Sequence, residues 1–142
     1  MSVPETTPTV RELKATIAGY IEDRLPELVK VYPFEPGALN GFPCVTMLSR
    51  RYDPTQAETG PHDSVVYEWR VRLYVDLNDY EKAQDEIDHL IPIMLDVPRH
   101  HFTMEGDVDS LVFYDRGDEI IFSKEDGWAA KDLVARAVRD EL

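Results

Sequence analysis

The sequence predicts one α+β domain: two amphipathic helices packed on one face of a mostly antiparallel sheet, in the order α-β-β-β-α-β-β-β. Three observations predict it. Two stretches, 10–25 and 80–94, repeat apolar residues at spacings of three and four. The stretch 65–76 alternates with period two, and the remainder offers short strand-like runs punctuated by Pro, Gly and Asn. The chain has 142 residues, the size of one compact domain, and shows no internal repeat or dividing linker. The expected organisation is a flexible lead-in at 1–8, rich in Pro, Ser and Thr, and a single domain at 9–142.

Thr9 opens the first helix as an N-cap, with Glu12 as its capping-box partner. Val10, Leu13, Ile17, Tyr20, Ile21 and Leu25 then form one apolar stripe. Pro26 stops the helix, because the residue before a proline is disfavoured in helical geometry. Leu28 to Tyr32 is a short β-branched run ended by Pro33, and 34–43 is turn chemistry throughout. Cys44 to Tyr52 reads as a strand, and a polar loop follows at 53–63. In the clearest strand, Val65, Tyr67, Trp69, Val71, Leu73 and Val75 alternate with Val66, Glu68, Arg70, Arg72, Tyr74 and Asp76. The two strands and their polar loop form a long antiparallel hairpin.

Asn78 or Asp79 caps the second helix, whose apolar side is Tyr80, Ala83, Ile87, Leu90, Ile91 and Met94. Pro92 conflicts with it, since an interior proline removes a hydrogen bond and clashes with the preceding turn. A kink or helix end is expected there, then an irregular stretch from Pro98 to Thr103. Strands follow at Val108–Tyr114 and Glu119–Ser123, with Asp126-Gly127 turning into a last segment from Trp128. That segment fits either period: Leu133, Ala135 and Ala137 alternate as in a strand, and Ala129, Ala130, Leu133, Ala137 and Val138 suit a helix. A strand to about Arg139 is preferred, because it completes the sheet.

Composition narrows the function. Fifteen Lys and Arg against 28 Asp and Glu leave a net charge of −13. This excludes a surface built throughout to grip phosphate, yet leaves room for a small basic patch or for a protein that repels DNA nearby. The single cysteine, Cys44, forms no intrachain disulfide. No apolar run approaches the ~20 residues of a membrane span. The first residues lack the basic and apolar regions of a secretory signal, so a cytoplasmic protein, or a part of something assembled there, is expected.

No constellation carries chemistry. His100-His101, with His89, Asp96, Glu105 and Asp107 near in sequence, is the best metal candidate, but adjacent histidines do not converge as i, i+4 ligands on a helix do. The competing description is a solvated loop. Cys44 lies in an apolar strand and reads as buried rather than reactive. No serine stands in a G-x-S-x-G elbow, and no glycine-rich phosphate loop exists. No catalytic, cofactor or metal site is expected.

Surfaces remain. Arg50-Arg51 with Arg70 and Arg72 is the concentrated positive charge, which the hairpin gathers near one sheet face. Either these arginines pair across strands with Glu68 and other carboxylates, or they meet acidic groups of a neighbouring subunit. Tyr74, on the same face, suits an interface, while Tyr67 and Trp69 suit the core. The second helix is acidic, with Asp79, Glu81, Asp85, Glu86 and Asp88.

Four features, in this order, resemble the tail terminator, or tail completion, family of long-tailed bacteriophages. They are the helix Leu13–Leu25 running into Pro26-Glu27-Leu28-Val29-Lys30-Val31-Tyr32 and a proline-bearing loop; the strand Pro43-Cys44-Val45-Thr46-Met47-Leu48; the long strand Tyr67–Val75 leading into the A-Q-x-x-I-D-x-L helix, Ala83 to Leu90; and closing strands. The match spans 9–139; Pro92 and the C-terminal segment depart from it. The resemblance implies a non-enzymatic virion protein of the tail-neck region, assembled in the host cytoplasm. It would form a hexameric ring on the last ring of tail-tube protein, stop tube polymerisation and offer a surface to a head-side connector or stopper. DNA would pass through the ring without specific binding, and no membrane is involved. Ring contacts are heterologous. The candidate sides are the face with Arg50, Arg51, Arg70, Arg72 and Tyr74, and the helix with Glu81, Asp85 and Asp88. Gln56 and Glu58, in the polar loop, are candidates for reaching a partner ring. The alternatives are a head-closure (stopper) protein one ring nearer the capsid, and a small metal-dependent hydrolase using His89, His100 and His101.

Overall fold

The computed structural model describes residues 8–53 and 63–141. Residues 1–7 of the expected lead-in, and the tip of the polar loop with Gln56 and Glu58, lie outside the described residues. Two helices, α1 (Val10–Arg24) and α2 (Tyr80–Leu95), accompany six strands: β1 (Lys30–Tyr32), β2 (Cys44–Asp53), β3 (Asp63–Asp76), β4 (Ser110–Tyr114), β5 (Ile121–Ser123) and β6 (Trp128–Glu141). The sheet order is β1-β2-β3-β6-β4, with β5 on the other end of β6. Only β1–β2 is parallel. The chain is thus an α+β fold on a mostly antiparallel six-stranded sheet.

Local chemistry sets the helix boundaries. The Thr9 hydroxyl accepts from the Glu12 N–H at 3.1 Å, and the Glu12 carboxylate accepts from the Thr9 N–H at 2.8 Å. This reciprocal box satisfies two donors that the first turn leaves unpaired, and α1 closes at Leu25, before Pro26. Asp79 caps α2 by accepting from the Glu81 and Lys82 N–H groups at 2.9 and 3.1 Å. Pro92 does not end α2, which continues to Leu95. Its ring is exposed, as is Asp88 four residues earlier, so the carbonyl left without its helical donor faces water. Two short 3₁₀ turns follow: Val97–His100 overlaps the stretch expected to be irregular, and Met104–Gly106 lies just beyond it.

The last segment is a strand over its whole length, pairing with β3 on one side and with β4 and β5 on the other. Its alanines have a packing reason. Tyr67 stands opposite Ala137 and Trp69 opposite Ala135, so each large ring on β3 meets a methyl group on β6. Val65, Tyr67, Trp69, Val71, Leu73 and Val75 share one buried cluster with Leu13, Ile17 and Ile21 of α1 and Ala83, Ile87 and Leu90 of α2. The even-numbered β3 residues face the other side. There a second, small cluster (Tyr32, Cys44, Tyr74 and Ala130) lies against Leu39, Phe42 and Trp128. Among the described residues, no helix is long and apolar enough to cross a membrane.

Candidate interaction surface

The face away from the helices carries the arginines. Period-two geometry puts Glu68, Arg70, Arg72 and Tyr74 on one side of β3, and the register sets Thr46, Leu48, Asp132 and Arg136 beside them. Arg72 forms a two-pronged pair with Asp132: Nε donates to Oδ1 at 2.6 Å and Nη2 to Oδ2 at 2.9 Å. The two side chains are only 16% and 13% exposed. The hydrogen bonds to Asp132 raise the Arg72 pKa, against an opposing effect of burial. Arg70 reaches Glu35 at 3.5 Å, and Arg50 lies 3.4 Å from Glu68, which also receives Arg136 at 4.0 Å. Cross-strand and loop pairing within the chain therefore engages Arg50, Arg70 and Arg72. Arg51 stands opposite Glu68 in the ladder, at a bulge between Ser49 and Arg51. The side chain of Arg51 lies outside the described residues.

Tyr74 does not lie open on this face. It is 4% exposed, its hydroxyl donates to Glu35 at 3.1 Å, and its ring meets Trp128 edge-to-face at 4.9 Å. Burial, then the nearby Glu35 carboxylate, raises its pKa against the opposing influence of Arg72. The turn-rich segment 34–43 lies beside this end of the sheet and borders an open pocket of about 410 Å³ lined by Glu35, Leu39, Phe42, Tyr74, Asp126 and Trp128, among others. Cys44 is fully buried in the same region, and burial followed by the Glu35 charge pushes its thiol up to about 11. Such a thiol is not a nucleophile at neutral pH.

The second candidate side is α2. Glu81, Asp85 and Asp88 are exposed, and spacings of four and three line them along one stripe. None of the three has an ion-pair partner among the described residues. Glu86, beside that stripe, has its pKa raised by burial and then by Asp76. At the start of the same helix is an exposed aromatic pair that sequence reading did not isolate: Tyr80 of α2 stacks on Phe122 of β5, with centroids 5.1 Å apart.

The histidines separate. His89 approaches Glu27 at 3.5 Å, and His100 is exposed. His101 stacks on Tyr20 at 3.7 Å, with Nδ1 3.6 Å from the Glu105 carboxylate. The Tyr20 hydroxyl donates to Glu105, and burial, then this bond, raises the phenol's pKa. Met104 and Glu105 reach this position through left-handed backbone at φ 50° and 57°, which continues into Gly106 at φ 94°. Among the described residues no group of three or more His, Cys, Asp or Glu is placed to share a metal ion. Comparison with models of known protein families and with curated proteins finds no match to this sequence.

Proposed function

We propose that the protein caps a bacteriophage tail tube, ends tail polymerisation and presents the surface on which the head joins. The reading begins from the resemblance of the segments 9–139. The observation that carries it furthest is the separation of two unlike surfaces on one subunit. An arginine-bearing sheet face and an acidic helix stripe without ion-pair partners among the described residues sit on different elements, which is what a heterologous ring contact requires. The net charge of −13 adds to this, because a channel lined by carboxylates gives passing phosphates no partner and lets DNA move.

The test is deletion of the gene in its parent phage, with electron microscopy of the particles. Overlong or unjoined tails beside normal heads are the expected result. Filled heads that lack tails and leak DNA would instead move the protein one ring toward the capsid, as a head-closure component. Normal infectious particles would end both readings.

A further inference from the structure

The open pocket beside the 34–43 segment has no part in the tail-cap reading. Its volume of about 410 Å³ is that of a small-ligand site. It lies where β3 ends and β6 begins, since Tyr74 and Asp76 pair with Ala130 and Trp128. Among the described residues, the charged side chains on its wall are Glu35 and Asp126, both carboxylates. Each is anchored within the chain: Glu35 accepts from the Tyr74 hydroxyl at 3.1 Å, and Asp126 Oδ2 accepts from the Ser123 hydroxyl at 2.8 Å. Glu35 also has Arg70 at 3.5 Å. Asp126 has no ion-pair partner among the described residues, and its Oδ1 takes no hydrogen bond from them. Three aromatic residues, Phe42, Tyr74 and Trp128, line the same pocket. Arg72 already lies 5.9 Å from the Tyr74 ring centroid, which leaves Trp128 and Phe42 for a visitor.

We propose that this pocket binds an organic cation, an alkylguanidinium or alkylammonium group, with its charge on Asp126 and its apolar part against Trp128 and Phe42. A carboxylate with a spare oxygen beside aromatic rings recognises a cation that also carries apolar surface. A hard metal ion would instead require about six converging oxygens, which this wall does not offer. The net charge of −13 draws cations toward the site. A free amine and the arginine or lysine side chain of another protein share this chemistry.

Tryptophan fluorescence tests it in the full chain, because Trp128 lines the pocket while Trp69 is sealed in the core at 1% exposure. Ethylguanidinium chloride, titrated at constant ionic strength, should give a saturable change with a midpoint of ~1 mM, and its neutral isostere N-ethylurea should give none. Asp126→Asn keeps an acceptor for Ser123 and removes the charge, so affinity should fall about 5-fold while the fold is retained. Glu125→Gln removes an equal charge from an exposed neighbour off the pocket wall and should change affinity less than ~2-fold. A blocked Gly-Arg-Gly peptide separates the sources. Tighter binding than ethylguanidinium assigns the site to a protein side chain, and equal or weaker binding assigns it to a free amine. Three results overturn the proposal: no saturable signal in fluorescence and calorimetry up to ~20 mM, N-ethylurea binding as well as the cation, or Glu125→Gln costing as much as Asp126→Asn. None of them bears on the tail-cap reading, which gene deletion tests separately.

Discussion

The Arg72–Asp132 pair decides whether the arginine face is part of the subunit's own architecture. Asp132→Ala removes the carboxylate and leaves a guanidinium that is only 16% exposed with its two hydrogen bonds gone. Breaking a buried pair from one side costs ~3–5 kcal/mol, whereas an exposed pair is worth ~0–1. With both partners mostly shielded but not sealed, the loss should be ~2–3 kcal/mol. At a urea dependence of ~1.5 kcal/mol per molar, this moves the unfolding midpoint down by ~1.5 M. Arg72→Met should cost a similar amount, because it leaves the Asp132 carboxylate, only 13% exposed, without its partner. The double variant should be closer to Arg72→Met than to the sum, with a coupling of ~1–2 kcal/mol in the cycle. A midpoint shift below ~0.3 M for Asp132→Ala, or strict additivity, would show that the pair does not hold β3 to β6. The face would then be free to spend its arginines on a partner.

Asp79→Ala should destabilise by ~1 kcal/mol, because two N–H groups at the start of α2 lose their acceptor, while Asp79→Asn should change little; denaturant midpoints read both. Pro92→Ala should stabilise by ~1–3 kcal/mol, since alanine restores the missing helical donor at an exposed position, and a fall in melting temperature would refute that account. Glu86→Gln should stabilise the fold at neutral pH. The raised carboxyl favours the folded state while protonated and loses that contribution as pH rises through its folded value. The two proteins should therefore converge below the ordinary glutamate value of 4.5, and thermal melts at pH 7 and pH 4 give the comparison.

What could be read in advance was whatever depends on neighbours in sequence. The capping box of Thr9 and Glu12, the Asp79 cap, the alternation along β3 and the Asp126-Gly127 turn, where Gly127 takes φ 76°, are local devices. Cys44 was legible as buried for the same reason. The register was not. Asp132 becomes the partner of Arg72 only when strands 60 residues apart align, and no local pattern states that alignment. The end of the chain was ambiguous because alanine fits a helix or a strand equally; the rings of Tyr67 and Trp69, far upstream, decide it. The bulge near Arg50 and the left-handed Met104 and Glu105 fall on residues other than glycine, the usual marker of such backbone. The Tyr20–His101–Glu105 cluster that they build was therefore out of reach.

The position of β6 between β3 and β4 has a consequence for biogenesis. Synthesis delivers residues 110–123 before the segment on which they must lie, so β4 and β5 leave the ribosome with nothing to pair with. Until 128–141 emerge, β3 presents a bare edge to whatever chaperone or aggregating neighbour is at hand. The nascent protein waits for its closing strand, and a ribosome stalled near codon 125 would hold half a sheet.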